Sequence, residues 1–222
     1  MNHRQVDRAL EAFSPLPLKE RLFVRARIFS APLAAVAARC PEGAILDVGC
    51  GHGAMIALLA VGNRGREVLG IDPDERKIAW ARSGPGRLSN VSLRQGTIED
   101  LLPELENHFE AIVVADVLYL LPVERWGPFA AACHQLLKPG GVLLLKEAEA
   151  NRSWKHFKCI AQEQLMVRLL GRTKSSGGLG LKPRRFTEDL LKEHGFAVDE
   201  VVDLAAGYTT PHILFVASRR AC

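Results

Sequence analysis

At the centre of this sequence stands the stretch Ile45-Leu46-Asp47-Val48-Gly49-Cys50-Gly51-His52-Gly53. A short apolar run ends in an acid, and a glycine then falls at every second position. An alanine-rich helical pattern follows directly at 54–60. A buried strand, a tight turn and the start of a helix explain this order. Because glycine has no side chain, a ligand can lie against the bare backbone and face the free amides of the new helix. The stretch predicts a site for a small polar ligand.

A second strand and helix follow this turn. An apolar run at 67–71 ends at Asp72, and Pro73 opens the next helical pattern. Asp72 lies about 20 residues beyond the glycines, at the carboxyl end of the second strand, where a carboxylate can accept from both hydroxyls of a ribose. The alternative is that Asp72 simply caps the helix before Pro73. Its coupling to the glycine turn favours ribose binding.

Composition places the chain among ordinary globular α/β proteins of one domain. Of its 222 residues, 48% are hydrophobic and 24% are charged, which supports a core and argues against disorder. Its five cysteines have neither zinc-ligand spacing nor the pattern of a disulfide framework, so we expect no metal site and a reducing cytoplasm. The N-terminus lacks the apolar core of a signal peptide, and the longest apolar run, 112–122, is too short to cross a bilayer.

Residues 1–43 predict an N-terminal helical cover. One helix spans 4–13, and a second spans 18–39 with Pro32 kinking or dividing it. We expect this second helix to pack on the edge of the domain. The residues near one of its faces are Leu22, Arg25 or Ala26, Phe29 and Leu33. The alternative is a lid over a ligand, in which Arg25 or Arg27 touches an anionic substrate.

The turn and the second strand together resemble a known family. Asp47-x-Gly49-x-Gly51-x-Gly53, followed by Gly70-Ile71-Asp72, is similar to the pattern of the class I S-adenosylmethionine-dependent methyltransferases. A dinucleotide-binding fold would instead show G-x-G-x-x-G. Three later stretches resemble the family's adenine-contacting turn, its fourth strand and its helix–turn–fifth strand signature, at 96–100, 109–116 and 136–145. The resemblance spans approximately residues 43–148.

This resemblance implies an α/β fold with a doubly wound, mostly parallel seven-stranded sheet whose C-terminal strand is antiparallel. The patterns at 197–203 and 212–218 would form an edge hairpin in that sheet. We therefore divide the chain into four regions. They are an N-terminal helical cover, a donor-binding core, a basic helical insertion after strand five, and a C-terminal helix with the hairpin, at 1–43, 44–150, 151–185 and 186–222.

The resemblance also implies S-adenosylmethionine as the cofactor. Asp47 would approach the amino end of this donor, and the glycine backbone would pack against its methionine part. Asp72 would hold the ribose and Ile98 would cover the adenine. Asp116 would lie near the sulfonium, where a carboxylate favours positive charge. The complete set of predicted donor contacts is Asp47, Gly49, Cys50, Gly51, Gly53, Asp72, Pro73, Thr97, Ile98, Glu99 and Asp116. His52 lies in the same turn and is an additional candidate for ligand or substrate contact.

Methyl transfer requires an acceptor held in line and, for a hydroxyl acceptor, a group that takes its proton. Such groups must lie at the carboxyl ends of the parallel strands or in the 205–211 loop on the same side. We predict catalytic or orienting roles for Glu147, His212 and Tyr119. The alternatives are structural: His212 as a polar residue at a strand end, and Glu147 as a loop carboxylate paired with Lys146 or with an arginine of the basic insertion.

The basic insertion is the part least similar to the family. Residues 152–185 carry nine lysines or arginines and one acid. An amphipathic helix is predicted at 151–171, and a glycine- and serine-rich run follows at 173–181. This combination fits a lid for a small-molecule or lipid-linked, anionic acceptor, and peripheral contact with an anionic membrane. A solvated helix and a mobile loop are the alternative.

The sequence therefore predicts a cytoplasmic methyltransferase that can also associate with a membrane surface. Its acceptor is a small-molecule or lipid-type compound, and oxygen is slightly favoured as the acceptor atom. Strand four ends in Asp116-Val117-Leu118-Tyr119, without the Asn/Asp-Pro-Pro-Tyr/Phe that resembles amino-group DNA methyltransferases. Two alternatives remain open. One is an RNA methyltransferase that uses the basic insertion, although aromatic stacking residues are few. The other is a non-catalytic, donor-binding regulatory module.

Overall fold

The structure, a computed structural model, describes residues 1–148, 182–208 and 210–220 of the chain. Its strands are β1 (Gly43–Val48), β2 (Arg66–Asp72), β3 (Val91–Gln95), β4 (Phe109–Ala115), β5 (Leu137–Ala148), β6 (Phe196–Asp203) and β7 (His212–Arg219). They form one sheet in the order β3-β2-β1-β4-β5-β7-β6. β1 to β5 pair in parallel, and β7 is antiparallel to both of its neighbours. The predicted seven-stranded sheet with an antiparallel C-terminal strand is confirmed.

Helices cover both faces of this sheet. They are α1 (His3–Glu11), α2 (Leu18–Ser30), α3 (Leu33–Ala37), α4 (Ala54–Gly62), α5 (Glu75–Ser83), α6 (Trp126–Leu136) and α7 (Arg184–Glu193). Side chains of α1 to α5 share one buried apolar cluster, and side chains of α6 and α7 share a second cluster. The doubly wound arrangement therefore follows from apolar helix faces packed against two sides of β-branched strands.

The N-terminal cover departs from its prediction in one important respect. Pro32 divides the second predicted helix, because its ring removes a backbone donor; α2 ends at Ser30 and α3 begins at Leu33. Of the predicted apolar face, Leu33 is buried as expected, but the expected packing of Leu22 and Phe29 is wrong, because both side chains are exposed. α2 packs through Val24 and Ile28 instead. Contacts between α2 and the glycine turn, described below, fix this rotation of the helix.

The link from β2 to α5 also differs from its prediction. α5 begins at Glu75, two residues later than Pro73, and Asp74 is its N-cap, accepting a hydrogen bond from the Arg76 amide. The Asp72 carboxylate accepts from the Asp74 amide at 2.9 Å, which holds Asp74 outside the helix. The alternative in which Asp72 caps the helix is therefore wrong, and Asp72 has a different function in the turn.

The C-terminal hairpin returns the chain to the carboxyl end of β5. Ala148 pairs with His212 and Glu147 pairs with Ile213. The predicted helix at 151–171 and the run at 173–181 lie outside the described residues, so the four-region division stays a prediction. In the described part of the chain, none of the helices combines the length and the apolar character that crossing a bilayer requires.

An alanine at position 70 would crowd the contact between β2 and α4. Its Cβ would meet Ile56 Cδ1 at 2.2 Å and Leu93 Cδ2 at 3.0 Å. We expect Gly70→Ala to lower the free energy of unfolding by about 1–3 kcal/mol, the usual effect of overpacking a core. Because Ile56→Val removes the Cδ1 atom, the double variant should lose less than the sum of the two single losses. Urea unfolding measures all three variants, and strictly additive losses would contradict the proposed collision.

Candidate functional site

The glycine turn between β1 and α4 presents bare backbone at one position. Gly51 has φ +57°, and a Cβ built on it would meet nothing within 4 Å. Gly49, with φ +69°, instead lies against Val117, whose Cγ2 would be 2.5 Å from an added Cβ. The two glycines therefore have different reasons to lack a side chain: Gly49 for packing against the end of β4, and Gly51 for access from outside.

Asp72 joins this turn to the end of β2. Its Oδ2 accepts a hydrogen bond from the Gly51 amide at 3.0 Å, and its Oδ1 accepts from the Asp74 amide at 2.9 Å. The carboxylate is buried, and the two bonds supply part of its lost hydration. Asp72 therefore fixes the conformation of the glycine turn, a role that its spacing alone did not reveal.

Asp47 has the opposite character, because one of its oxygens is unsatisfied. The side chain is buried, and its Oδ2 has no hydrogen-bond partner among the described residues. Burial raises the pKa of the Asp47 carboxyl well above its ordinary value, and the Asp72 charge raises it further, while Arg27 lowers it. A buried acceptor of this kind is costly unless a donor meets it. Asp47 is therefore poised for a cationic or hydrogen-donating group of a ligand.

A cavity of about 390 Å³ lies beside the turn. Four of the predicted donor contacts line it, namely Asp47, Gly49, Cys50 and Gly51. Seven do not line it: Gly53, Asp72, Pro73, Thr97, Ile98, Glu99 and Asp116. The remaining walls come chiefly from two helices, through Lys19, Glu20, Phe23, Val24 and Arg27 of α2, and through Arg76, Lys77 and Trp80 of α5 with the preceding Asp74. The size is within the range of small-molecule sites.

The residues lining the cavity from α2 were largely missed from the sequence. Glu20, Phe23 and Arg27 recur at helical spacing, so a helical wheel would have placed them on one face. Because these residues are partly polar, the usual search for an apolar helix face does not select them. Leu22 and Phe29 fit that search better. Of the two arginines considered, Arg27 reaches the site and Arg25 lies over the ring of Phe29.

Two contacts hold α2 against the rest of the site. His52 Nε2 lies 3.0 Å from Glu20 Oε2, and the His52 ring packs on Phe23 with ring centroids 4.9 Å apart. Further along the helix, Arg27 Nη2 lies 2.5 Å from Asp116 Oδ2. His52 therefore joins the glycine turn to α2, while Arg27 joins α2 to the end of β4. The lid interpretation of this helix stays a prediction, since these contacts show only how α2 is held over the cavity.

A buried charge cluster lies beneath Arg27. Lys146, fully buried on β5, places its Nζ 2.5 and 2.6 Å from the two carboxylate oxygens of Asp116. Burial alone would raise the pKa of Asp116, but Lys146 and Arg27 hold it well below its usual range. Burial lowers the pKa of Lys146, with Asp116 opposing that effect. Asp116 is thus an ionised carboxylate in a left-handed backbone conformation, with φ +61°.

His212 lies at the edge of this cluster. It is buried, its ring meets Tyr208 edge-on at 5.4 Å, and neither ring nitrogen has a hydrogen-bond partner of ordinary geometry in the described residues. Burial and the nearby Lys146 charge lower the pKa of His212 to about 4, against the opposing effects of Asp116 and the Ser30 backbone. The imidazole is therefore neutral at pH 7, and one of its ring nitrogens can accept a hydrogen bond or a proton.

Glu147 points to the opposite side of β5 from Lys146, since consecutive strand residues alternate. Its Oε1 accepts from the amides of Val117 and Leu118 at 3.2 and 2.9 Å, and its Oε2 accepts from the Tyr119 amide at 3.4 Å. Lys146 bonds Asp116 instead, so the alternative in which Glu147 pairs with Lys146 is wrong. The alternative in which Glu147 pairs with an arginine of the insertion stays open, because the arginines at 152, 168 and 172 lie outside the described residues. Tyr119 and Glu147 line a separate narrow depression, so the three predicted catalytic residues do not converge on the cavity.

The predicted adenine turn is internally bonded. Asp100 Oδ2 accepts from the Thr97 amide at 2.7 Å and from its hydroxyl at 3.0 Å. Glu99 pairs with Arg125 at 2.5 Å, and Ile98 is buried in the apolar cluster that also holds side chains of α6 and α7. The turn is therefore well defined, although none of these residues lines the cavity.

Comparison with known proteins agrees with this fold. Residues 45–141 match a family model described as a methyltransferase domain. A ubiquinone biosynthesis O-methyltransferase from Pseudomonas aeruginosa is 30% identical over 173 residues, which cover 76% of this chain and 70% of that protein. The corresponding protein from Acinetobacter baylyi is 27% identical over 170 residues, with 76% and 69% covered.

Solved structures of similar fold also include methyltransferases. A methyltransferase of Haloferax volcanii in complex with its Trm112 activator superposes with a TM-score of 0.71 at 15% identity, covering 90% of this chain and 93% of that one. A Burkholderia thailandensis 1,6-didemethyltoxoflavin-N1-methyltransferase gives a TM-score of 0.68 at 17% identity, covering 99% and 89%.

The chain belongs to the class I S-adenosylmethionine-dependent methyltransferases. It is an enzyme whose methyl donor is S-adenosylmethionine. The site fits that donor on three counts: the cavity volume, the bare backbone at Gly51 and the unsatisfied Asp47 oxygen.

The buried Glu147 should give the protein a distinctive dependence of stability on pH. Burial and the Asp116 charge raise its pKa from 4.5 to about 8, although the amides of Leu118 and Val117 oppose the shift. A folded-state pKa above the unfolded value means that this contribution is fully present below pH 4.5 and is lost as the pH rises through 8. The loss is at most about 1.4 kcal/mol per pH unit inside this window.

Glu147→Gln removes the titrating group and leaves an acceptor oxygen for the Val117 and Leu118 amides. We therefore expect the variant to gain stability relative to the native protein as the pH rises from 5 to 8. Urea unfolding at several pH values measures this difference, with Glu106→Gln, an exposed site, as the control. An unchanged pH dependence in Glu147→Gln would contradict the raised pKa.

Proposed function

We propose that this methyltransferase transfers its methyl group to an oxygen of a small aromatic acceptor with a lipid-like tail. The observation that carries the proposal is His212, a buried and neutral imidazole at the edge of the Asp116 cluster. Its ring nitrogens meet no hydrogen-bond partner of ordinary geometry among the described residues. Methylation of a hydroxyl requires removal of its proton, and a neutral imidazole can accept one. The ubiquinone biosynthesis O-methyltransferases at about 30% identity support oxygen as the acceptor atom.

In this proposal the donor lies between the glycine turn and α2. Asp47 receives its amino group, Gly49 and Gly51 lie along its methionine part, and Asp72 takes the ribose hydroxyls. Pro73, Thr97, Ile98 and Glu99 surround the adenine, with Cys50 and Gly53 completing the turn. The bound donor supplies a methyl group already activated on a sulfonium, so the protein needs only to orient the acceptor, exclude water and remove a proton.

We place the ionised Asp116 near the sulfonium, which its negative charge would favour. Lys146 and Arg27 fix the orientation of its carboxylate. Since Arg27 also belongs to α2, closure of this helix and placement of Asp116 are coupled. Glu147 is proposed as a positioning residue, because all of its described hydrogen bonds go to the 117–119 backbone. Tyr119, on that same segment, stays a candidate for acceptor contact.

The relatives support the nature of the proposed acceptor. The charges of the cavity wall do not select its sign, because the cations Lys19, Arg27, Arg76 and Lys77 lie beside the acids Glu20, Asp47 and Asp74. Ubiquinone is a ring with a long isoprenoid tail, so an acceptor of the same chemistry would be lipid-linked. The proposed contact of residues 152–185 with acceptor or membrane concerns mostly residues outside the described range.

Asp47→Asn tests the placement of the donor. The substitution removes a negative charge that the donor's ammonium would meet, so the affinity for S-adenosylhomocysteine should fall by tenfold or more, about 1.4 kcal/mol. The ligand-free protein should not lose stability, because a buried carboxyl beside Asp72 has been made neutral. Calorimetric titration and thermal unfolding measure the two effects. Asp7→Asn on exposed α1 is the control, and undiminished affinity in Asp47→Asn would exclude the assigned contact.

The acceptor is tested with donor that carries a trideuterated methyl group. We expect label on the oxygen of phenols or catechols with isoprenoid tails, detected by mass spectrometry. His212→Asn should lower kcat by about 100-fold or more, the usual contribution of a general base, with donor affinity unchanged. His108→Asn, at an exposed position, should leave kcat unaltered. Label found only on nitrogen or carbon, or a fully active His212→Asn, would refute the proposal.

A further inference from the structure

The outer face of α2 exposes an unusual concentration of apolar side chains. Leu18, Leu22 and Phe29 are 66%, 57% and 56% exposed. In the described part of the chain, the other exposed large hydrophobic residue is Phe186, which is 40% exposed. Exposed apolar side chains that cluster, unlike scattered ones, indicate a surface that binds a membrane or another molecule.

Helical geometry places these three side chains together. With about 100° between successive residues, Leu18, Phe29 and Leu22 fall within a sector of roughly 40°. Glu20, Phe23 and Arg27, which line the cavity, fall on the opposite side of the helix, whereas Lys19, which also lines it, lies between the two sides. α2 thus has two separate faces: an inner face toward the donor site and an outer apolar face.

Cations flank the outer apolar sector. Arg21 and Arg25 lie on one side of it and Lys19 lies on the other, and all three are exposed. Arg25 places its guanidinium 5.5 Å from the centre of the Phe29 ring. The acid of this helix, Glu20, is turned inward onto His52, so the exposed residues of α2 include no negative charge.

We propose that the outer face of α2 docks this protein on an anionic lipid surface. A narrow apolar centre with cations along both sides matches the boundary between acyl chains and anionic headgroups. A protein partner fits less well, because a stable interface buries about 1,200–2,000 Å² in total and three side chains provide only a fraction of that area. This surface is distinct from the 152–185 segment and belongs to the described chain.

Docking through α2 has a consequence for the donor site. The inner face of the same helix lines the cavity, so the cavity would lie about one helix diameter, roughly 10–12 Å, from the lipid surface. A lipid-linked acceptor could then present its ring without leaving the bilayer. This consequence rests on the proposed function, whereas the docking itself does not.

Vesicle flotation at low salt tests the inference with the full chain. The native protein should float with vesicles of phosphatidylcholine and phosphatidylglycerol, but not with phosphatidylcholine alone. Leu22→Ser with Phe29→Ser should lower the bound fraction about tenfold. Arg21→Glu with Arg25→Glu should lower it at least as much. Arg82→Glu with Arg87→Glu makes the same change of charge on exposed residues elsewhere and should float like the native protein.

Affinity for S-adenosylhomocysteine, measured on each variant, separates this result from the donor site and should stay unchanged because the altered side chains face outward. Failure of the native protein to float on anionic vesicles would overturn docking. Full flotation of both α2 variants would assign the contact to another surface and overturn the inference equally. If the apolar variant instead converted a native dimer to a monomer without affecting flotation, the face would be a contact between two copies of this chain.

Discussion

The buried ion pair between Lys146 and Asp116 is the interaction on which the site depends. Removing two charges from water is costly, and the cost is offset only where geometry and additional bonds are favourable. Here the Lys146 ammonium reaches both oxygens of the carboxylate, and Arg27 adds a second cation. The pair joins the ends of β4 and β5, while Arg27 carries the same charge network into α2. One charge network therefore joins α2 to the ends of β4 and β5, and His212 lies beside it.

A second constraint comes from the contrast between two carboxylates of the glycine turn. Each oxygen of Asp72 accepts a hydrogen bond from a backbone amide, and these two bonds define the shape of the turn. Asp47 keeps one buried oxygen without a partner in the described residues. Asp72 therefore shapes the turn through its two amide bonds, whereas Asp47 has a buried oxygen that no described donor meets. This division explains how adjacent strands of similar sequence pattern provide different chemistry, and why neither acid could replace the other.

The fold was accessible from the sequence because its signals are local. The apolar run before Asp47, the glycine turn and the acid at Asp72 each predict structure over a few residues, and the order of strands followed from resemblance. The inner face of α2 was not accessible in this way. Its orientation depends on His52 and Asp116, which lie 32 and 89 residues away from their partners on the helix. The engagement of Glu147 by the 117–119 amides is likewise a non-local contact that residue type does not reveal.

The antiparallel strand β7 has a consequence for how the molecule assembles. It inserts between β5 and β6, so that His212 from late in the chain pairs with Ala148 at the end of β5. We expect contacts between such distant segments to form late, because closing a long loop costs entropy. The donor half of the sheet, built from β1 to β4, relies mainly on nearer contacts. During synthesis the glycine turn that binds the methyl donor can therefore fold before β7, which carries His212, has been made. A chain that ended before β7 would have the glycine turn that binds the methyl donor but would lack His212.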